Sequence, residues 1–190
     1  MIGRARLPTP PEVYDPLWAM QFHRALDQNL DRAFEGSPNF APASGYYGSF
    51  YDTTTQTAAA VNTPYAMKFN NTAEANQTAI VDLTKLTFKN RGTYNIQFSA
   101  QLDKASGAQA YIWIWFRLNG VDIANSASKY SISGTVAENI AALNFFVTVK
   151  ALDYVELMWA TDDTNTILLA EPSNAFHPGI PSVILTAQSI

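Results

Sequence analysis

The chain has 190 residues, of which 47% are hydrophobic and 15% charged, with a formal net charge of −4 and no cysteine. That length and apolar content suit one packed domain and argue against intrinsic disorder. The missing cysteines exclude thiol catalysis, disulfides and thiolate metal sites, and no Lys/Arg patch is visible that would neutralise a nucleic-acid backbone.

In chain order, "MIGRARLPTP" lacks the apolar core of a signal peptide, because proline and arginine interrupt it. No stretch approaches the roughly 20 apolar residues of a membrane helix. Folding in a cytoplasm, with no membrane partner, is therefore expected. The triplets Asn70-Asn71-Thr72 and Asn76-Gln77-Thr78 lack a secretory context and read as chance. "RLPTPPEVY" is an extended, proline-rich arm. "DPLWAMQFHRALDQNLDRAFEG" predicts an amphipathic helix over residues 16 to 34, with Asp15 as N-cap, Pro16 at the first helical position and Gly36 as the stop. Trp18, Phe22, Leu26, Leu30 and Phe34 recur at every fourth position and form one apolar stripe, the expected anchoring or partner interface. "GSPNFAPASG" is a linker in composition. The chain thus divides into an arm and helix (1–35), a linker (36–45) and a β domain (46–190).

From Tyr46 onward, strands and turns alternate. "GTYNIQFSAQL" puts Tyr94, Ile96, Phe98 and Leu102 on one face and Asn95, Gln97, Ser99 and Gln101 on the other. In "YIWIWFRLNG", Ile112, Ile114, Phe116 and Leu118 share one face; Tyr111, Trp113, Trp115 and Arg117 share the opposite one. "LNFFVTV" and "DYVELMWA" each present one apolar face, Leu143/Phe145/Val147/Val149 and Val155/Leu157/Trp159, and "PSVILTAQSI" is the last strand. Asn90-Arg91-Gly92, Asn119-Gly120 and Ser133-Gly134 are turn signals. About ten strands with no interleaved helix predict a mainly β fold, an antiparallel jelly-roll sandwich.

No catalytic constellation assembles from these residues, and no cofactor is implied. His23 falls on the helix and His177 in a loop, each expected to be structural or on the surface. Asp162 and Asp163 in "ATDDTNT" are adjacent in an extended chain and point apart, so a solvated loop is expected, with a calcium contact as the alternative. Asp153 suits a turn before a strand. The outward aromatics Tyr111, Trp113, Trp115 and Arg117 admit two readings: a platform on which a sugar stacks, or a surface covered by something else. Because "GTYNIQFSAQL" has a polar second face, cover for Trp113 and Trp115 is expected from a loop, the linker, a sister subunit or a larger particle.

The ordered set "GTYNIQFSAQL", "YIWIWFRLNGVDIANSAS", "ALDYVELMWATDD" and "PSVILTAQSI" resembles the jelly-roll heads of complement-globular-head and tumour-necrosis-factor type found in tailed-bacteriophage virion proteins. The likeness covers roughly residues 46 to 190. The N-terminal arm and helix are similar to segments that open various phage structural proteins. The resemblance implies a ten-stranded sandwich, a homotrimer and no enzymatic activity. It gives a virion protein, expected first as a capsid decoration (cement) protein bound to other virion proteins. A neck or tail appendage, or a module recognising host surface glycan, is the alternative. The chain departs from animal complement heads in lacking cysteines and a collagen-like stalk.

Overall fold

The computed structural model of the chain describes residues 16–35, 45–104, 106–134 and 137–190, with backbone only over 27–35. The arm, the Asp15 cap, the Gly36 stop and residues 36–44 of the linker lie outside the described residues, as do the side chains of Leu30 and Phe34. The chain divides into two compact units, Met1–Ser44 and Gly45–Ile190.

In the first unit, helix α1 runs Pro16–Glu35, one residue longer than the sequence predicts. Trp18 and Phe22, one turn apart, stack with ring centroids 5.2 Å apart, the contact that i,i+4 spacing on a helix provides. Neither this helix nor any other described one is long and apolar enough to cross a membrane.

The second unit is mainly β. Its strands are β1 (Tyr47–Asp52), β2 (Gln56–Thr57), β3 (Tyr65–Ala66), β4 (Asn71–Asn76), β5 (Thr78–Val81), β6 (Lys85–Phe88) and β7 (Gly92–Lys104). They continue with β8 (Ala110–Leu118), β9 (Val121–Asp122), β10 (Ser128–Ile132), β11 (Ala137–Val149), β12 (Tyr154–Thr161), β13 (Thr166–Leu168) and β14 (Val183–Ser189). The described residues therefore hold more strands than the sequence predicts. The excess lies in pieces of two or three residues such as β2, β3, β9 and β13, too short to show any periodicity.

All pairings are antiparallel. The first sheet runs β4-β1-β14-β7, with β11 along the other edge of β7 and β13-β2 continuing beyond β14. The second runs β10-β8-β12-β6-β5, with β9 on β8 and β3 on β12. The inward faces share one core. Tyr94, Ile96, Phe98 and Leu102 of β7, Ile112, Ile114 and Phe116 of β8, and Val155, Leu157 and Trp159 of β12 are all buried, as their alternation predicts. Phe98 meets Phe116 edge-on between the sheets at 6.0 Å, and Phe88 meets Tyr94 at 4.5 Å. Each such large side chain withdrawn from water contributes about 1.5–3 kcal/mol, so these contacts are what hold the sheets together. The Tyr94 hydroxyl donates to the Asn90 carbonyl at 3.1 Å, and burial pushes its pKa up to about 12.

Asn119 and Gly120 both adopt positive φ, 48° and 82°, and join β8 to β9 in the tight turn that such a pair favours. Asn119 also binds the turn before β12, its amide donating to Asp153 Oδ1 at 2.8 Å while its oxygen accepts from the Tyr154 N–H. Asp153 thus holds the turn expected of it. The Lys150 N–H and then Asn119 keep its carboxyl below the usual carboxylate range.

Candidate functional site

The outward aromatics lie on the exposed face of the second sheet, on β8 between β10 and β12. Register sets Trp113 beside Lys129 of β10 on one side and Ala160 of β12 on the other. Trp115 lies beside Met158, and Arg117 beside both Glu156 and Asp122. Strand alternation and pairing alone therefore bring Tyr111, Trp113, Trp115 and Arg117 together in one row.

The row is closed by its own neighbours. The Lys129 ammonium sits 3.6 Å from the Tyr111 ring centroid and 5.7 Å from that of Trp113, where a ring's negative face attracts a cation. The Trp115 indole N–H and Arg117 Nε both donate to Asp122 Oδ1, each at 2.8 Å. Arg117 and then Trp115 hold the Asp122 carboxyl below its ordinary range. Within the chain, strands of the same sheet give Trp113 and Trp115 part of their cover, and all four residues of the row remain half-buried. The reason is register: a long cationic side chain on the adjacent strand reaches across directly paired positions.

The outward face of the first sheet is different in kind. From β11 it presents Ile140, Ala142, Asn144, Phe146 and Thr148, paired in order with Gln101, Ser99, Gln97, Asn95 and Thr93 of β7. Beyond β7 come Ile184, Thr186 and Gln188 of β14, and then Tyr51, Ser49 and Tyr47 of β1. None of these is Asp, Glu, Lys or Arg. Ile140 and Phe146 are 58% and 56% exposed. Charge returns only at the margins, with Glu138 opposite Asp103 and with Glu74 opposite Ser49.

Of the anchoring stripe, Trp18, Phe22 and Leu26 are half-buried, and Phe22 also meets His23 edge-on at 6.3 Å. Leu17 and Met20, off the stripe, are exposed.

One feature escapes the sequence reading. Asp163 is not simply solvated: it pairs with Lys104, which is 0% exposed at the inner end of β7. Its second oxygen accepts from the Asn165 N–H at 2.9 Å and the Asn165 amide at 3.0 Å. Lys104 first, then the Asn165 N–H, holds the Asp163 carboxyl low. Asp162 caps the start of β8, accepting from the Tyr111 N–H at 2.7 Å. His177 lies in its loop as the sequence predicts, its ring engaged by Asn174 and the Pro178 carbonyl and its Nε2 3.8 Å from Glu171 Oε2. Among the described residues, no cluster of three or more His, Asp and Glu is placed to hold a metal ion.

No protein-family model matches the chain. No curated protein matches it either.

Proposed function

We propose that this chain is a non-enzymatic structural protein of a tailed-phage particle, a capsid decoration protein whose jelly-roll head assembles as a homotrimer through the outward face of its first sheet. The observation that carries the proposal is that face: four adjacent strands whose outward groups carry no charge inside the margin marked by Glu138 and Asp103, and with Phe146 and Ile140 in water. A solitary surface of this extent normally carries charge, whereas the centres of permanent interfaces are depleted of it. The jelly-roll assignment is supported by the path of the chain. It runs from β7 in the first sheet to β8 and β10 in the second, back to β11, across to β12, and back again to β14. The first long strand, β1, lies beside the last, β14, as the returning connections of nested Greek keys bring them.

The virion role rests on the resemblance of residues 46–190 to phage heads and on the helix, whose stripe Trp18, Phe22, Leu26, Leu30 and Phe34 serves as the anchor. The glycan-binding alternative is disfavoured by Lys129, since a sugar stacking on Tyr111 or Trp113 would have to displace the cation already there.

Light scattering on the purified chain tests the trimer and is expected to report three copies. Phe146→Glu is expected to report one, with the β-sheet circular-dichroism spectrum retained. A wild-type monomer at micromolar concentration would overturn the assembly. Deletion of residues 1–35 tests the anchor: the truncated chain should remain trimeric and no longer incorporate into particles, and normal incorporation would remove the helix from the proposal.

A further inference from the structure

We propose that β11 is a docking edge, to which a second copy of the chain adds its own β11, antiparallel, about a two-fold axis at Asn144. The contact is separate from the face that carries the trimer and does not rest on it.

β11 pairs with β7 alone, in unbroken register from Ala137 to Val149, so its far side is an edge of the first sheet. The direction of its backbone groups follows from β7. The Gln101 N–H donates to the Ser182 carbonyl and the Gln101 carbonyl accepts from the Leu169 N–H, both at 2.9 Å. Gln101 is therefore turned away from β11. Directly opposed residues of an antiparallel pair turn toward each other or away together. Ile140, opposite Gln101, thus turns its N–H and C=O to the open edge, and by alternation so do Ala142, Asn144, Phe146 and Thr148. Two contacts agree with this. The Ile140 N–H donates to Asn139 Oδ1 at 2.8 Å, and the Ala142 carbonyl accepts from the Tyr130 hydroxyl of β10 at 3.4 Å. Among the described residues, nothing bonds to the N–H or C=O of Asn144, Phe146 or Thr148, and all three residues are exposed.

Edge strands normally carry something that stops a second strand from adding: charge, proline, a bulge or brevity. The β4 edge of the same sheet has Glu74 within its six residues and a register break against β1. β11 has no such device along most of its length. From Asn139 to Val149 it holds no charge, proline or glycine, and its 13 residues run without a bulge. Open backbone groups in that setting fit another extended strand.

The ends of the strand single out which one. Glu138 at one end and Lys150 just past the other bracket the uncharged stretch, and both are exposed. A self-pair about Asn144 sets Asn144 opposite itself, and twice over sets Ala142 opposite Phe146, Ile140 opposite Thr148 and Glu138 opposite Lys150. Every one of these pairs but the last joins two residues whose N–H and C=O face the edge. Of the registers open to two copies of β11, only this one forms both Glu138–Lys150 pairs. Within its own chain Glu138 lies opposite Asp103, and like charges so placed repel; the second copy brings it a cation. The Ala142 carbonyl keeps a second lone pair for the incoming Phe146 N–H. The exposed Asn139 cap yields to the incoming Thr148 carbonyl. So short an edge buries little beside a whole face, so the contact joins copies held at high local concentration.

Covalent trapping on the full chain tests it. The chain has no cysteine, so a single introduced one reports a self-facing position. Opposed residues of a hydrogen-bonded antiparallel pair have Cα atoms about 5.5 Å apart, within disulfide range. Two controls are Gln97→Cys, beside Asn144 on the same outward face, and Val121→Cys, exposed on the second sheet. Oxidised at about 0.1–1 mM protein, Asn144→Cys is expected to form disulfide-linked dimers about tenfold faster than either control. Adding Glu138→Lys to Asn144→Cys turns two attractions into two repulsions and should slow linking by about tenfold; adding Lys150→Glu as well should restore it. The readout is the same whether the dilute chain is trimeric or monomeric. Gln97→Cys linking as fast as Asn144→Cys would place the contact on the face and overturn the edge. Asn144→Cys linking no faster than Val121→Cys would leave the edge to a different strand or to none, and would overturn it too. Linking that ignores Glu138→Lys would overturn the charge-set register.

Discussion

The Lys104–Asp163 pair gives the sharpest test of how the β unit is held together. Lys104 is fully buried at the end of β7, while the Asp163 side chain is 26% exposed. Asp163→Asn keeps the shape and removes the charge. If the new amide turns its oxygen toward Lys104, the Asn165 N–H faces a donor; if it turns the other way, an NH2 group faces the buried ammonium. Breaking a buried pair in this way costs about 3–5 kcal/mol, and the partial exposure of Asp163 places this case near the lower figure. For a domain of this size the loss corresponds to a melting temperature lower by roughly 6–12 °C. Lys104→Met leaves Asp163 with water and both Asn165 bonds, so it should stay within about 1 kcal/mol of wild type. Thermal unfolding by circular dichroism measures both. The sign with pH follows from the depressed Asp163 carboxyl. Its contribution is present above the unfolded carboxylate value of about 4 and is lost as pH falls through the lower folded value. The deficit of Asp163→Asn should therefore shrink in acid. Equal cost for the two single variants, or less than 1 kcal/mol for Asp163→Asn, would refute the reasoning.

Two further outcomes are expected. Lys129→Ala removes the cation over Tyr111 and Trp113 and should cost about 1 kcal/mol; acrylamide quenching of tryptophan fluorescence should rise as the ring faces open, and an unchanged quenching constant would mean that Lys129 does not shield them. Gly48→Ala places a Cβ 2.4 Å from both the Phe50 ring and Thr78 Oγ1; Phe50 is wholly buried and has nowhere to go, so the variant should lose about 1–3 kcal/mol, read from its denaturation midpoint in urea.

Much of the fold was legible because strand β7 keeps a clean period of two over its length and β11 and β12 each carry one continuous apolar face. Parity alone places Tyr94, Phe145 and Trp159 inside. It also places Lys104 inside, two positions beyond Leu102 and continuing the buried set, a signal that the eye passes over because the residue is lysine. What parity cannot supply is the partner: Asp163 lies 59 residues further on and arrives only when β13 pairs with the end of β7. The candidate site behaved in the same way. The row Tyr111, Trp113, Trp115, Arg117 was visible in one strand. Its cover was not, because Lys129 and Asp122 oppose it through the register of β8 with β10 and β9, a property of pairs of strands. The conformation of the loop 171–180 was hidden for a third reason. "SNAFHPGI" reads as an ordinary loop, and the exposure of Phe176 depends on where the Asn174 side chain bonds.

The two outward faces of the β unit now make a single argument. On the second sheet every aromatic has a local answer: a lysine lies over the rings and an aspartate takes both the indole N–H and the guanidinium. Such a face gains little from a partner, because docking would strip water from charges that already have their pairs. On the first sheet the groups in the middle are amides, hydroxyls and apolar side chains, which lose little when water is removed provided that amides find one another across the contact. Desolvation therefore opposes assembly through one face and permits it through the other. This is why the proposed trimer is assigned to the first sheet, although the second carries the more conspicuous tryptophans. A pair of variants separates the cases. Thr186→Lys, at the centre of the uncharged face, should abolish association, whereas a lysine in place of the exposed Val121 on the second sheet should leave it intact. The opposite pattern, read by light scattering, would place the interface on the aromatic side.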